Sequence, residues 1–314
     1  MNVFITGATG FIGRALTLRL LRDGHTLTAW VRDESNARSK LGADVHLVPS
    51  SAGEPALRAG ITRSDAVVNL AGEPLIGRWT AKRRRQIIAS RVDLTQQLVQ
   101  AMQAAESPPA TLVSGSAVGY YGDRGDETLT EDSAPGSGFL SELCRDWEQA
   151  ALQAEVLGTR VVTLRTGIVL GREGGALARL LPPFRFGLGG RIGSGRQYMP
   201  WIHLHDHVEM ITAALTDARY SGAVNATASE PATNAEFTRH LGRALHRPAV
   251  MPLPAVVLKA ALGEASSVLL TGQRAIPHKA TSLGFDFQFP HLADALADII
   301  GERQHVDIGI AARA

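Results

Sequence analysis

Apolar residues in the first half of the chain follow two alternating periods. Asn2–Thr6 and Thr26–Val31 are short apolar runs of strand length. Between them, Phe11–Arg22 repeats Ile12, Leu16 and Leu20 at helical spacing and stops at Gly24. The alternation continues with a weaker strand at Asp44–Val48, a buried strand at Asp65–Leu70, and a long helix at Arg84–Ala104 with Ile88, Val92, Val99 and Met102 on one face. A strand at Thr111–Ser114 follows, then a helix at Glu142–Leu157 whose apolar side carries Leu143, Trp147, Ala151 and Ala154, then a strand at Arg160–Leu164. Strands alternating with helices predict an α/β fold, a doubly wound parallel sheet covered on both faces.

After Gly171 the pattern changes. Residues 171–200 are rich in Gly, Pro and Arg and read as loops. Asp206 is placed to start a helix backed by Val208, Ile211 and Leu215, and Gly222–Thr227 reads as a late strand. Thr233-Asn234-Ala235-Glu236 has capping-box spacing ahead of Phe237, Leu241 and Leu245. The expected organisation is a nucleotide-binding domain over 1–170 plus about 203–230, a smaller, mostly helical lobe for the substrate over 171–202 plus 231–300, and a loose tail over 301–314.

Composition narrows the classes. Hydrophobic residues make up 45% and charged residues 20% of 314, and the formal net charge is +2. This is an ordinary globular balance, and neither nucleic acid nor membrane is an expected partner. The dense basic run Lys82-Arg83-Arg84-Arg85 reads as a solvated helix face, with contact to an anion as the sharper alternative. The single cysteine, Cys144, excludes an intrachain disulfide and a cysteine-based zinc site. It reads as a packed, inert thiol. No basic, apolar leader opens the sequence and no apolar run reaches membrane-spanning length, so the cytoplasm, or an organelle matrix, is the expected compartment.

The chemistry starts at Gly7-Ala8-Thr9-Gly10-Phe11-Ile12-Gly13, between the first strand and the first helix. One glycine permits the tight turn, another lets the backbone approach a diphosphate, and the last allows close helix–strand packing. The helix N-terminus then offers free N–H groups and a positive dipole end. This is a dinucleotide site of the Rossmann type. Arg32, at the end of the second strand, is placed to pair with a 2′-phosphate, with Arg38 as a helper, which favours NADP. Asp33 beside it keeps NAD open.

These residues and four further segments resemble the extended short-chain dehydrogenase/reductases, the group of nucleotide-sugar epimerases and dehydratases. The segments are Asn69-Leu70-Ala71-Gly72, Ser114–Gly122, Leu164–Gly171 and Trp201–Asp206. The resemblance is nearest to an atypical, epimerase-like branch with its own C-terminal domain, through Leu143–Glu148, Gly193–Gln197, Asn234–Phe237 and Leu269–Arg274. It implies that Leu70, Ala71, Gly72, Ser114, Gly167 and Ile168 line the coenzyme, and that Ser116 bonds the reacting oxygen. It also exposes a departure. The family's tyrosine and the lysine four residues on align with Phe139 and Leu143, so the usual acid–base pair is absent.

Candidate replacements are the phenols of Tyr120 and Tyr121, although tyrosines that merely pack on a coenzyme or loop are commoner. Arg191 and Arg196, in a glycine-rich stretch, read as solvated loop arginines or as a fork for an anionic substrate group. His203 is expected near the substrate. His203, His205 and His207 lack the acidic company of a metal site, so no metal is expected. Two functions stay open: an NADP-dependent oxidoreductase or epimerase on a small polar, nucleotide-sugar-like substrate, or a non-catalytic NADP(H)-binding, redox-sensing protein. A monomer or a homodimer is expected.

Overall fold

Continuous burial along Val3–Thr6, Ala66–Asn69 and Thr111–Ser116 marks strands covered on both faces. In the computed structural model, which describes residues 1–301, these segments lie in one parallel sheet of seven strands. The strands are β1 (Asn2–Thr6), β2 (Thr26–Val31), β3 (Val45–Pro49), β4 (Ala66–Asn69), β5 (Thr111–Ala117), β6 (Arg160–Thr166) and β7 (Gly222–Ala226). Their spatial order is β7-β6-β5-β4-β1-β2-β3. The order reverses direction beside β1, so the chain leaving β1 and the chain leaving β4 run to opposite sides of the sheet and leave a crevice at the carboxyl ends. The predicted doubly wound sheet is the observed one.

The helices on either side follow the apolar spacing. Helix α1 (Phe11–Arg22) buries Leu16 and Leu20 as the periodicity required. Two short helices, α2 (Glu34–Leu41) and α3 (Gly53–Thr62), were not legible, because each buries only two residues, Ala37 and Leu41 or Leu57 and Ile61. The helix expected over Arg84–Ala104 is three pieces: α4 (Ala81–Ile88), a π-helical turn at Ala89–Asp93, and α5 (Leu94–Gln103). Helix α6 (Phe139–Leu152) starts three residues earlier than expected and runs into a 3₁₀ turn at Gln153–Leu157. β5 and β6 outrun their expected ends because they pair with each other as far as Ser116↔Arg165 and Ala117↔Thr166.

Side chains alternate between two cores along each strand. Val3 and Ile5 face α1 and α8 (Leu204–Thr216), whereas Phe4 joins Leu57, Leu98 and Met102 on the opposite face. A separate apolar cluster gathers Leu177, Leu181, Trp201, Phe237, Leu241 and Leu296. It includes a helix where loops were expected, α7 (Gly175–Arg185), whose two internal prolines hid it. It also includes α9 (Asn234–Ala244), which carries the predicted capping box: Thr233 accepts from the Glu236 amide and Glu236 accepts from the Thr233 amide. The expected tail over 301–314 lies outside the described residues apart from Gly301. Among the described residues no helix is long and apolar enough to cross a membrane, and no cluster of His, Cys, Asp and Glu is arranged to hold a metal ion.

Asp206 does not start α8. His203 caps it, accepting from the His205 amide at 3.1 Å. Asp206 instead lies inside the helix, 1% exposed, and its carboxylate accepts from the amides of Gln288 and Phe289, both at 3.0 Å. It ties the late C-terminal segment to the sheet. Asp206→Ala leaves two amides without an acceptor, at a cost of about 1–3 kcal/mol each. A clear fall in thermal midpoint, read by circular dichroism, is the expected outcome.

Candidate functional site

The opening turn fits a diphosphate for steric reasons. Gly7 has φ +73°, and a Cβ there would sit 2.7 Å from the Leu70 carbonyl. A Cβ on Gly13 would strike the Gly7 carbonyl oxygen, so α1 packs against the turn only without it. Gly10 is the N-cap of α1, with no side-chain cap and no acid in the first turn, so the first amides of the helix stay available to an anion.

The turn opens into a cavity of about 710 Å³ whose walls include Gly7, Thr9, Gly10, Arg32, Ala71 and Gly72. The Arg32 side chain is 87% exposed and meets Glu73 at 3.0 Å. Glu73 also binds Arg83 at 3.1 Å, and although burial pushes its carboxyl up, the two guanidinium groups hold it below the ordinary range. One member of the basic run is therefore placed beside the nucleotide cavity. Asp33 caps α2, accepting from the Asn36 amide at 2.9 Å, so it is engaged away from a ribose. Arg38 donates to the carbonyls of Gly42, Ala43 and Val45 and braces the turn into β3.

Leu70 leads from this cavity into a second one, of about 530 Å³, that also lies at the carboxyl ends of the strands. Ile12, Leu70, Gly167 and Ile168, all expected at the coenzyme, line this second cavity, and so does Leu143 in the place of the family lysine. Phe139, in the place of the tyrosine, packs edge-on against Trp79 at 5.0 Å and under Arg84. Much of the wall is apolar, with Leu140, Leu143, Trp147, Leu180 and Ile192. Cys144 also lines it, and burial pushes its thiol up to about 12, which keeps it protonated.

Ser116 is one of the polar residues of the wall, with Arg91, Thr166, His207 and Asn234 among the others. It is 4% exposed, and its hydroxyl donates to Glu148 Oε1 at 2.6 Å. Glu148 stands behind it on α6 and is held by Arg165 on β6 through a two-pronged pair, Nε to Oε1 at 2.8 Å and Nη2 to Oε2 at 2.9 Å. Arg165 also donates to the Tyr121 hydroxyl at 3.0 Å, and that hydroxyl donates to Asn225 at 2.6 Å. Carboxylate and guanidinium are both almost fully buried, and the pairing raises the Arg165 pKa against its burial.

The two candidate phenols therefore lie behind the wall. Tyr121 is fully buried, both of its hydrogen bonds are taken, and burial pushes its pKa to about 12. Tyr120 stacks under the Arg165 guanidinium at 3.5 Å. Ser114 is buried inside β5, its hydroxyl turned to the Gly115 carbonyl at 3.3 Å, and lines neither cavity. Ala8 is buried beneath the turn, and Phe11 packs on Gly171, Gly174 and Gly175. His203 stacks on Phe289 with its ring 3.5 Å from Asp298, away from the cavity. Arg196 is exposed and outside this lining, and Arg191 lines a different hollow.

Sequence reasoning missed Glu148, Arg165, Arg91 and His207. Glu148 shares the buried face of α6 with Trp147 and Ala151, and Arg165 interrupts an apolar strand; an acid and a base, each in an apolar run, were the available signal. Arg91 projects from the π turn, lies against Gly72 and over Trp147 at 5.4 Å, and lines the second cavity. Burial lowers its pKa. His207 also lines that cavity. Thr166 Oγ1 donates to the Leu164 carbonyl and lies 3.1 Å from His207 Nε2, an arrangement that makes Nε2 the donor and leaves Nδ1, buried and without a partner among the described residues, as an acceptor.

Comparison with known proteins agrees with this geometry. The profile of the NAD dependent epimerase/dehydratase family matches residues 3–226, and a domain of unknown function, DUF1731, matches residues 253–299. This chain belongs to the NAD dependent epimerase/dehydratase family. Within the family it is 41% identical over 302 residues to the chloroplastic SDR39U1 homolog of Arabidopsis thaliana, covering 96% of this chain and 87% of that one. It is 44% identical over 298 residues to the epimerase family protein ML0860 of Mycobacterium leprae, covering 94% of each. The crystal structure of human SDR39U1 (isoform 2) with NADPH superposes with a TM-score of 0.86 at 39% identity, over 96% of this chain and 100% of that one.

Burial pulls the pKa of both His203 and His207 down to about 4, partly offset at His203 by Asp298. The folded protein keeps them neutral where the unfolded chain takes protons below about pH 6.5. Their contribution to stability is therefore complete above pH 6.5, declines as pH falls towards 4, and levels off below. In urea unfolding, His207→Gln reduces the slope of stability against pH in that window by at most about 1.4 kcal/mol per pH unit.

Proposed function

We propose that this member of the epimerase/dehydratase family binds NADP(H) across the opening turn. It exchanges hydride with a hydroxyl-bearing carbon of a small molecule held in the second cavity. One observation carries the reading. Ser116 gives its only hydrogen to Glu148, which as a carboxylate accepts and cannot donate. The lone pairs of Ser116 are then what the cavity offers, and they call for a donor, an alcohol rather than a carbonyl.

NADP, when bound, supplies the hydride exchange. The amides at the start of α1 hold the diphosphate, and Arg32 pairs with the 2′-phosphate, a role supported by the engagement of Asp33 elsewhere and by the NADPH in the human relative. Arg91, against Gly72, holds negative charge at the passage between the cavities. Ser116 takes the proton of the substrate hydroxyl while its own moves to Glu148. Arg165 fixes the orientation of that carboxylate, and the reverse transfers protonate the oxygen when hydride returns. Ser116 and Glu148 thus take over the proton transfer that the family assigns to its tyrosine and lysine, whose positions Phe139 and Leu143 occupy here. Tyr120 and Tyr121 hold Arg165 from behind, and His207 Nδ1 accepts from a ligand N–H or O–H.

The apolar lining favours a substrate with an apolar body and few polar groups over a free sugar. The nucleotide domain comprises 1–170 and about 203–230, and the substrate lobe comprises 171–202 and 231–300. The chain acts as a monomer or a homodimer in an aqueous compartment.

Fluorescence titration tests the coenzyme. NADPH binds at least tenfold more tightly than NADH, and Arg32→Ala removes most of that difference; equal affinity for the two in the native protein overturns the assignment. Turnover is tested by nicotinamide absorbance against a panel of apolar alcohols, with solvent isotope wash-in to catch a net-neutral epimerisation. Ser116→Ala and Glu148→Gln each lower the rate about 10²–10⁴-fold. Unchanged rates in both variants overturn the proton path.

A further inference from the structure

A group of arginines that belongs to neither the nucleotide nor the substrate cavity collects along one side of α9. Ala235, Thr238, Arg239, Gly242 and Arg243 recur at helical spacing and form one wall of a hollow of about 890 Å³. The opposite wall is the returning chain, with Arg247, Ala249, Val250 and Pro252, and Arg191 closes one end. The hollow is built by the backbone. His246 has φ +51°, the one positive φ among the described non-glycine residues, and turns the chain sharply after α9. Gly242 then lets the chain pass close, since a Cβ there would sit 2.8 Å from the Ala249 Cβ. The Gly189–Arg191 backbone pairs with Met251 and Leu253 and brings Arg191 to the same place.

Four arginines and His246 therefore line one concavity, and no carboxylate lines it. Among the described residues, Arg191, Arg239 and Arg243 have no side-chain ion pair or hydrogen bond, and Arg247 donates only to the Arg185 carbonyl. Arg239 and Arg243 stand one helical turn apart, where like charges oppose folding. Glu236, the acid one turn earlier, is engaged by the Thr233 amide and hydroxyl. The imidazole of His240 records the field: burial lowers its pKa first, and Arg239 and Arg243 lower it further.

A fold that gathers cations in this way without a counter-charge leaves a place for one. We propose that the hollow between α9 and residues 246–252 is a second ligand site, separate from the coenzyme, for a small molecule carrying two or more phosphate groups. Guanidinium forks match phosphate oxygens two at a time, and several forks facing one space require more than one negative charge. The shape favours a small ligand over nucleic acid. The hollow is local rather than a stripe, no Phe, Tyr or Trp lines it for base stacking, and the net charge of the chain is only +2.

Calorimetric titration with inorganic tripolyphosphate, with and without saturating NADPH, tests the site. The expected result is saturable binding that persists with NADPH present and weakens at least tenfold in the double variant Arg239→Ala/Arg243→Ala. The variant keeps its NADPH affinity and thermal midpoint, which separates this outcome from misfolding and from failure of the coenzyme assignment. No saturable binding in the native protein, binding lost whenever NADPH is present, or equal affinity in the double variant overturns the proposal. A twelve-nucleotide single strand that binds more tightly than tripolyphosphate at the same salt, and is lost in the same variant, overturns the ligand class.

Discussion

A carboxylate and a guanidinium taken out of water together must satisfy each other almost completely, because either one alone is far more costly than the pair. Glu148 and Arg165 meet that demand with two parallel hydrogen bonds, and the rest of the pair's bonds set the shape of the site. Ser116 fills a remaining position on the carboxylate. Tyr121 and the Glu131 carbonyl take the two hydrogens on Nη1, and Tyr120 covers the guanidinium face. The pair spans α6 and β6, so it also fixes how the helix that carries Leu143 and Trp147 stands against the sheet. Removing one partner of such a pair typically costs about 3–5 kcal/mol, enough to disturb the whole cavity wall.

The Ser116 hydroxyl gains its directionality from this arrangement. A serine at the end of a strand ordinarily turns its hydrogen to whichever acceptor is nearest, including a ligand. Here the hydrogen is committed to the rear, to Glu148, so only the lone pairs face the cavity. The two cavities meet at Leu70, whose carbonyl lies against Gly7 of the opening turn.

The parts of this design legible in the sequence were those that repeat or punctuate. Strand runs, the α1 periodicity and the glycine spacing of the opening turn each follow from backbone geometry that local residues impose. Phe139 and Leu143 in place of a tyrosine and a lysine were legible as a departure. What hid was long-range. Glu148 and Arg165 look like isolated charges until strand and helix are superposed, and no local pattern shows that Tyr121 turns away from the cavity. The π turn that aims Arg91 has the same composition as ordinary helix. His203 and His207 were both visible, but the residue reaching the cavity is decided by where α8 begins, and the cap at His203 moved that start two residues ahead of Asp206.

The order of the chain has a mechanical consequence. β7, the edge of the sheet, forms only after the backbone has already travelled through α7 and back, and the backbone then leaves again for α9 and the C-terminal helix. The apolar cluster around Trp201 is thus stitched to the sheet by three separate passages of backbone, and the Asp206 carboxylate adds a clasp. Bodies joined so many times do not swing about a single pivot. What reaches the second cavity is then governed by the side chains that line it, such as Arg179 and Leu180 of α7, rather than by a swing of one core against the other.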